Sequence, residues 1–275
     1  MVDGPKDLFR TRDHVADFDR YVAEYASRSV QSRERHEHQL DVAYGDSPVE
    51  RLDLFLPPSS TSPRPIHLFI HGGYWRMFSK DGFSFIADTV LAAGGIAAIM
   101  DYSLMPGVRM QTIVGQVRSA AKWLKTNADS FGGDARRLTV SGHSAGAHLC
   151  CTLLEMDCPA TPAAALLLSG IYDLAPLQQS FLQPLLGLTD QEVADFSPVS
   201  KIYQPATRVT LMVGELETGP FHTQANQLQA LMTAHGSTAF LADAPEQNHM
   251  SIVLDMGDAA TQVGRTLMEI IQGDS

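Results

Sequence analysis

The chain has few cysteines, no cluster of basic residues and no long apolar run. Its 275 residues include only three cysteines, two of them adjacent (Cys150 and Cys151). That excludes a disulfide framework and favours a reducing compartment. Lys and Arg together number 20 against 31 Asp and Glu, which gives a formal net charge of −11. Without a basic patch, no nucleic-acid partner is expected.

Apolar stretches are too short to cross a membrane. The longest, "VLAAGGIAAIM" and "PAAALLLSGIY", contain glycines and run about ten residues. The N-terminal sequence "MVDGPKDLFRTRDH" has early acidic residues and lacks the apolar core of a secretory signal. We therefore expect a cytoplasmic protein with no membrane partner.

What the chain does contain is a series of short, nearly continuous apolar runs separated by helical stretches. The runs are "IHLFIHGG", "GIAAIMDYS", "RLTVSGHS", "AAALLLSG", "RVTLMVGE" and "TAFLADAP". Such runs, alternating with helices, predict a parallel sheet covered on both faces. Before them, "LDVAYG" and "VERLDLFLP" predict an antiparallel hairpin with one wet face. The prediction is one α/β domain over residues 1–275, with a mixed sheet of roughly eight strands.

Two segments are expected to lie outside this alternating pattern. Residues 14–34 predict an amphipathic helix, so that residues 1–36 form an N-terminal helical lid. Its apolar residues at helical spacing are Phe18, Tyr21, Val22 and Tyr25. Residues 174–200 have prolines and no clear period. They are expected to be an insertion on the side of the carboxyl ends of the strands, where ligands bind in such sheets.

The stretch Gly142-His143-Ser144-Ala145-Gly146 fits the pattern G-x-S-x-G. It follows a predicted strand and opens a predicted helix, which is the context of a nucleophile elbow. The alternative is that Ser144 is an ordinary N-cap residue. The strand–turn–helix context favours a nucleophile.

A serine nucleophile needs a base, and in this fold the acid and the histidine follow the serine along the chain. Three histidines come late enough: His222, His235 and His249. His222 falls in a helix first turn and His235 at a helix end. His249 lies in "DAPEQNHMS", between the last strand and the last helix, and is therefore the predicted base.

The acid is expected after an earlier strand. "LMVGELETGPF" offers Glu215 and Glu217, and "SGIYDL" offers Asp173. Strand alternation and reach do not separate these three carboxylates, so the residues alone leave the choice open.

The oxyanion site is expected in "IHLFIHGGYW", after an early strand. Gly72 and Gly73 allow the backbone there to turn its N–H groups inward, up to and including that of Tyr74. The N–H of Ala145, the residue after the nucleophile, would be a further donor.

Three motifs together resemble a known family. "HGGYW" (71–75), "DYSLMPGV" (101–108) and "GHSAGAHL" (142–149) resemble the hormone-sensitive-lipase-like branch of the α/β-hydrolases, and within it the kynurenine formamidases, or arylformamidases. The resemblance runs from about residue 40 to the C-terminus and includes "DFSPVSKI" and "NHMS".

This resemblance implies a role for three residues. The family's serine and histidine fall on Ser144 and His249. Its acid, normally aspartate, falls on Glu217, where the extra methylene is a departure. The implied reaction is hydrolysis of an N-formyl aryl amine, without a metal or other cofactor.

Substrate contacts and competing functions stay open. The side chains of Tyr74 and Trp75 could line the binding site of an aromatic leaving group, or else pack under the N-terminal helix. Tyr102 is a third candidate for lining this pocket. The alternatives to an arylformamidase are a carboxylesterase for short-chain acyl esters and a ligand-binding protein that has lost catalysis. A small-molecule substrate is expected in the first two cases. The oligomeric state, a homodimer included, is left open.

Overall fold

A mixed sheet of eight strands forms the centre of the molecule, with the order β1-β2-β4-β3-β5-β6-β7-β8. The computed structural model describes residues 7–58 and 62–273. The strands are β1 His38–Ala43, β2 Arg51–Phe55, β3 Arg64–Ile70, β4 Ile96–Met100, β5 Gly133–His143, β6 Ala164–Leu168, β7 Arg208–Gly214 and β8 Ala239–Ala244. β3 to β8 are parallel, and β2 runs antiparallel to both β1 and β4.

Helices cover both faces of this sheet. They are α1 Phe18–Arg35, α2 Ile86–Ala92, α3 Met110–Asn127, α4 Ala145–Leu154, α5 Gln183–Leu186, α6 Asp190–Phe196, α7 Gly219–Ala234, α8 Ser251–Met256 and α9 Gln262–Gln272. One buried core joins α3, α4 and α7 to the sheet. A second core, on the opposite face, joins α1, α2, α8 and α9 to it. Among the described residues, no helix has both the length and the apolarity to cross a membrane.

The central strands are mostly apolar because both of their faces are buried. In β3, Leu68 and Ile70 belong to one core, whereas Phe69 between them belongs to the other. This is why these strands appear in the sequence as continuous runs rather than alternating ones. The predicted α/β architecture of about eight strands is confirmed.

The predicted hairpin is present, but only its outer strand is wet. β1 is largely exposed, whereas Leu52 to Phe55 of β2 are buried. The difference arises because β2 also pairs with β4 and therefore lies inside the sheet. Even Asp53 is fully buried, and its Oδ1 is 2.9 Å from the Nζ atom of Lys80.

The two segments outside the alternating pattern are helical. α1 begins at Phe18 rather than at residue 14, after Asp17, which has a left-handed backbone with φ of 55°. Residues 1–6 of the predicted lid lie outside the described residues. Within 174–200 the chain forms α5, α6 and 3₁₀ turns at Ala175–Gln179 and Pro198–Ser200. α6 starts with a capping box, in which the side chains of Thr189 and Glu192 each accept from the other residue's backbone N–H.

Candidate active site

Ser144 lies on a sharp turn between β5 and α4. Its backbone has φ of 56° and ψ of −119°, a conformation that costs free energy for any residue with a side chain. Glycines on each side make the turn sterically feasible. A Cβ at Gly142 would be 2.4 Å from the backbone of Gly146, and a Cβ at Gly146 would be 1.9 Å from the oxygen of Ile70. Ser144 stands at the N-cap position of α4, but its side chain makes no capping hydrogen bond.

Glu217 and His249 form a buried pair. Glu217 Oε2 is 2.6 Å from His249 Nδ1, and both side chains are almost completely inaccessible. A carboxylate only accepts, so the ring donates Nδ1–H to it and leaves the lone pair of Nε2 free. The other oxygen, Oε1, accepts from the hydroxyl of Ser169 and from the N–H of Gly214 at 2.9 Å.

The other two candidate carboxylates are engaged elsewhere. Glu215 is exposed and accepts from the backbone N–H of Glu246 at 2.9 Å. The side chain of Asp173 accepts a hydrogen bond from the backbone N–H of Ala175, two residues later in the chain, also at 2.9 Å. Of the three, Glu217 is therefore the one that the fold brings to a histidine.

The remaining late histidines lie away from Ser144. His222 is in the first turn of α7, with Nδ1 3.6 Å from Asp243 Oδ1. His235 is exposed and ends α7, its backbone N–H donating to the carbonyl of Leu231. Only His249 of the three lines a pocket together with Ser144.

The glycine loop after β3 passes directly over Ser144. A Cβ at Gly72 would lie 3.2 Å from Ser144 Cβ, closer than ordinary contact. Gly73 and Tyr74 have left-handed backbones, with φ of 106° and 53°. Within the described ranges, the backbone N–H groups of Gly72, Gly73, Tyr74 and Ala145 have no acceptor. These N–H groups are thus available as donors, and Gly72, Gly73 and Tyr74 line a pocket together with Ser144.

One mostly apolar pocket contains these groups. It is narrow, with a cavity volume of about 30 Å³, and it is partly open to solvent. Its lining consists of the two candidate catalytic side chains, the glycine loop and an apolar wall: Thr11, Phe18, Tyr25, Gly72, Gly73, Tyr74, Met77, Phe78, Phe83, His143, Ser144, His249 and Met250. In residues 7–58 and 62–273, no cluster of three His, Cys, Asp or Glu side chains is arranged to hold a metal ion.

Two of the three predicted substrate contacts lie in the core rather than in the pocket. Trp75 and Tyr102 are absent from the described lining of the pocket, and both are buried in the core on the α3, α4 and α7 side. Trp75 Nε1–H donates to His148 Nδ1 at 3.2 Å. The Tyr102 hydroxyl donates to the backbone carbonyl of His71 at 2.9 Å, and the Tyr102 ring stacks on the His71 imidazole ring. These two hydrogen bonds hold the glycine loop against that core.

Tyr74, the third predicted contact, does line the pocket. Its hydroxyl donates to the carbonyl of Phe9 and is 3.1 Å from Thr11 Oγ1, while its ring meets Phe181 edge-on. Burial raises the pKa of Tyr74 to about 12, so its hydroxyl is neutral. Tyr74 thereby joins the glycine loop to the N-terminal segment and to the insertion.

The N-terminal helix holds the loop that carries His249. Tyr25 donates its hydroxyl to the carbonyl of Met250 at 2.5 Å. Arg28 donates to the carbonyls of Leu254 and Gly257, at 3.0 and 2.9 Å. α1 is therefore both a wall of the pocket and a brace for the base.

Two polar residues near the site were not predicted from the sequence. Ser169 donates a hydrogen bond to Glu217. It directly follows β6, and this position at the carboxyl end of a strand could have indicated that it lies near the site. The ring of His143 lies 4.5 Å from that of His249. Burial holds the pKa of His143 well below its usual value, and the neighbouring His249 acts in the same direction. His143 is thus a neutral neighbour of the proposed base.

Sequence comparison points to hydrolases. A family model described as BD-FAE matches residues 52–156. The kynurenine formamidase of Danio rerio is 28% identical over 261 residues, which is 91% of this chain and 88% of that protein. An isoprenylcysteine alpha-carbonyl methylesterase of Arabidopsis thaliana is 34% identical, but over 42% of this chain and 27% of its own length.

Solved structures with the same fold include esterases. A Silicibacter protein provisionally named a thioesterase has a TM-score of 0.83 at 25% identity and covers 96% of this chain and 97% of its own. A hyperthermophilic esterase of Pyrobaculum calidifontis has a TM-score of 0.75 at 16% identity, covering 93% and 92%. The chain is therefore a serine hydrolase of the α/β-hydrolase type, similar over most of its length to kynurenine formamidases.

Proposed function

We propose that the protein hydrolyses an aryl formamide such as N-formyl-kynurenine, with Ser144 as nucleophile, His249 as base and Glu217 as the residue that orients the base. The observation that carries the proposal is the convergence of Ser144, His249 and the free loop N–H groups on one apolar, aromatic-walled pocket. Similarity to kynurenine formamidases over most of the chain supports the substrate class.

The first step follows from the tautomer of His249. Because Nδ1–H is held by Glu217, Nε2 is free to take the Ser144 proton as Oγ attacks the formyl carbon. Among the described residues the Ser144 hydroxyl has no hydrogen-bond partner, and contacts between nucleophile and base commonly tighten only when the substrate binds. The oxyanion would accept from the N–H groups of Gly73, Tyr74 and Ala145.

For the tetrahedral intermediate to break down, the proton that His249 took from Ser144 must be transferred to the leaving group. An arylamine leaves far more readily once its nitrogen is protonated, so His249 passes the proton from Nε2 to that nitrogen as the C–N bond breaks. Water then attacks the formyl ester of Ser144, giving up its proton to His249, and formate leaves as the serine is regenerated.

Close packing around Ser144 favours a formyl group over larger acyl groups. Gly72 passes so near Ser144 that even a methyl group on Gly72 would collide with the neighbouring backbone, 2.8 Å from the His143 oxygen. Met77 and Phe78 continue the wall of the pocket. A formyl carbon carries only hydrogen, whereas a butyryl chain would have to displace these groups.

The aromatic wall suits the other half of the substrate. Phe18 and Tyr25 of α1 line the pocket, together with Tyr74, Phe78 and Phe83. Offset or edge-on ring pairs contribute about 0.5–1.5 kcal/mol each beyond burial of their area. These residues take the place of Trp75 and Tyr102 in the proposed aryl site.

The test is a comparison of kcat/KM for N-formyl-kynurenine and a series of p-nitrophenyl esters from acetate to butyrate. We expect the formamide to have the highest value and the esters to fall as the acyl chain lengthens. N-acetyl-kynurenine is the matched control, because it differs only in the acyl group, and we expect it to be cleaved poorly.

A short-chain carboxylesterase is the second candidate. It is favoured by the similarity of 42% of this chain to a protein named an isoprenylcysteine alpha-carbonyl methylesterase. If p-nitrophenyl butyrate is cleaved with a higher kcat/KM than N-formyl-kynurenine, the carboxylesterase replaces the formamidase.

A further inference from the structure

The loop beside Ser144 is held in an unfavourable conformation. Gly73, Tyr74 and Trp75 are consecutive residues with left-handed backbones, with φ of 106°, 53° and 57°. Glycine adopts such angles readily, but tyrosine and tryptophan do so at a cost in free energy. Neighbouring contacts must therefore hold this stretch in place.

The contact made by Trp75 is to the helix that carries the nucleophile. Its Nε1–H donates to Nδ1 of His148 at 3.2 Å, and the two rings meet edge-on with centroids 4.9 Å apart. His148 lies one turn into α4, its own N–H donating to the carbonyl of Ser144 at 3.1 Å. The pair thus joins the glycine loop to the first turn of α4.

A second hydrogen bond fixes the tautomer of His148. Nε2–H donates to the carbonyl of Phe196, at the end of α6, at 2.8 Å. Nδ1 is consequently the lone-pair nitrogen and can only accept, which is what the indole of Trp75 requires. Burial lowers the pKa of His148 to about 4, so this arrangement persists at neutral pH.

The other bonds to the loop do not reach α4. Tyr102 holds the carbonyl of His71, and Met105 donates its N–H to the carbonyl of Trp75 at 2.8 Å. These bonds fix the loop against the segment that follows β4. Close backbone packing at Gly72 and Gly146 brings the loop and α4 together. Among the described residues, the pair Trp75 and His148 adds a side-chain hydrogen bond between them.

We propose that Trp75 and His148 are positioning residues that set the spacing between the two halves of the oxyanion site, the N–H groups of Gly73 and Tyr74 on the loop and that of Ala145 on α4. This inference rests on the proposed role of Ser144 as nucleophile, but it does not depend on which acyl group the enzyme prefers. Neither side chain touches the substrate.

The primary test is Trp75→Phe, which keeps an aromatic ring and removes the indole N–H. Since a misplacement of about 1 Å can cost on the order of a hundredfold in rate, we expect kcat to fall by roughly 30–100-fold. KM should change by less than about threefold, because binding of the ground state does not use the oxyanion donors. Trp123→Phe is the matched control: this other tryptophan stacks on Phe131, away from the site, and kcat should be unchanged.

Two variants of His148 separate positioning from packing. In His148→Asn the side-chain oxygen can occupy the place of Nδ1 and still accept from Trp75. In His148→Gln the amide can reach the carbonyl of Phe196 but leaves the indole N–H unpaired. We expect His148→Asn to retain most of the wild-type kcat and His148→Gln to fall as far as Trp75→Phe, with the double variant no worse than either single one.

Rates should be measured with the best substrate and, independently, as the second-order rate of phosphonylation by an aryl fluorophosphonate, whose attack by Ser144 also develops an oxyanion. Because the phosphonate reports on Ser144 whatever the natural acyl group is, a failure of the formamidase proposal would leave this test intact. The inference is overturned if Trp75→Phe phosphonylates at the wild-type rate, or if His148→Asn and His148→Gln lose activity equally. Thermal melting of each variant identifies loss of fold, and a folded His148→Asn with wild-type kcat supports the inference even if Trp75→Phe proves unstable.

Discussion

Glu217 reaches His249 from a turn that begins at the end of β7. The turn is tight: a Cβ at Gly214 would lie 2.5 Å from the carbonyl of Gln247, on the loop that leads to His249. The longer side chain of glutamate is accommodated because Gly214 and Ser169 both hold Oε1 and leave Oε2 facing the ring. The acid is thus fixed by three hydrogen bonds rather than by side-chain length.

The first prediction concerns this carboxylate. Glu217→Gln should lower kcat on the order of a thousandfold or more, because an amide no longer enforces the Nδ1–H tautomer of His249. Glu217→Asp should lose less, since the charge remains and only the reach is shortened. Steady-state kinetics will measure both, with Glu215→Gln and Asp173→Asn as controls that should retain wild-type kcat. If either control variant loses more kcat than Glu217→Gln does, its carboxylate and not that of Glu217 orients His249.

At the residue scale, reasoning from the residues alone left three candidates for the acid, and only the family resemblance pointed to Glu217, the one that pairs with His249. Glu215 and Glu217 both follow β7 within three residues, and only the path of the backbone turn decides which one faces His249. The same limit applies to Tyr74 and Trp75. They are adjacent in the chain, but in a left-handed stretch their side chains separate, one into the pocket and one into the core.

At the scale of elements, α1 makes two contributions to the site. It supplies Phe18 and Tyr25 to the pocket wall, and it braces the loop of His249 through Tyr25 and Arg28. Deleting the whole segment would therefore damage the base as well as open the pocket. Single substitutions on α1 distinguish the two contributions.

The second prediction uses Phe18, which lines the pocket without bonding the loop of His249. Losing one aromatic contact of about 1–1.5 kcal/mol should raise KM for N-formyl-kynurenine roughly tenfold in Phe18→Ala. KM for ethyl acetate, which has no ring, should change little. Val22→Ala is the control on the same helix: Val22 is partly buried but absent from the described pocket lining. Equal rises in KM for both substrates would argue against an aryl site under α1.

The elements themselves were largely predictable because the two-sided burial of parallel strands leaves continuous apolar runs in the sequence. The wet face assigned to β2 was wrong because the alternation in "RLDLF" comes from Asp53, whose charge is buried against Lys80 rather than exposed. The sequence does not indicate such a distant partner. The start of α1 was missed for a local reason, the left-handed turn at Asp17.

For the molecule as a whole, buried histidines make stability depend on pH. His67, in β3, is fully buried between the hydroxyls of Thr139 and Ser141, at 2.8 and 2.6 Å. Burial lowers its pKa to about 3. The unfolded chain binds this proton near pH 6.5, whereas the folded chain does not until the pH is far lower. The contribution to stability is therefore complete above pH 6.5 and is lost as the pH falls from there toward 3.

The third prediction is a matching loss of stability in acid. Each of the histidines whose pKa is lowered by burial, namely His67, His143 and His148, should lower the free energy of unfolding by about 2 kcal/mol between pH 6.5 and pH 5, at about 1.4 kcal/mol per pH unit. Urea unfolding across this range should therefore show a smaller slope with pH for His67→Gln than for the wild type. His235→Gln, at an exposed site, should keep the wild-type slope. Identical slopes for all three proteins would contradict the assignment.

The account depends most directly on Ser144, and the decisive measurement is formate release from N-formyl-kynurenine by the wild type and by Ser144→Ala at equal concentration. Removing one hydroxyl oxygen from the buried Ser144 side chain makes that side chain smaller and leaves the fold in place, which a matching melting curve verifies. The account predicts rapid formate release by the wild type and almost none by the variant. Formate release by a folded Ser144→Ala protein at more than a few per cent of the wild-type rate would contradict it.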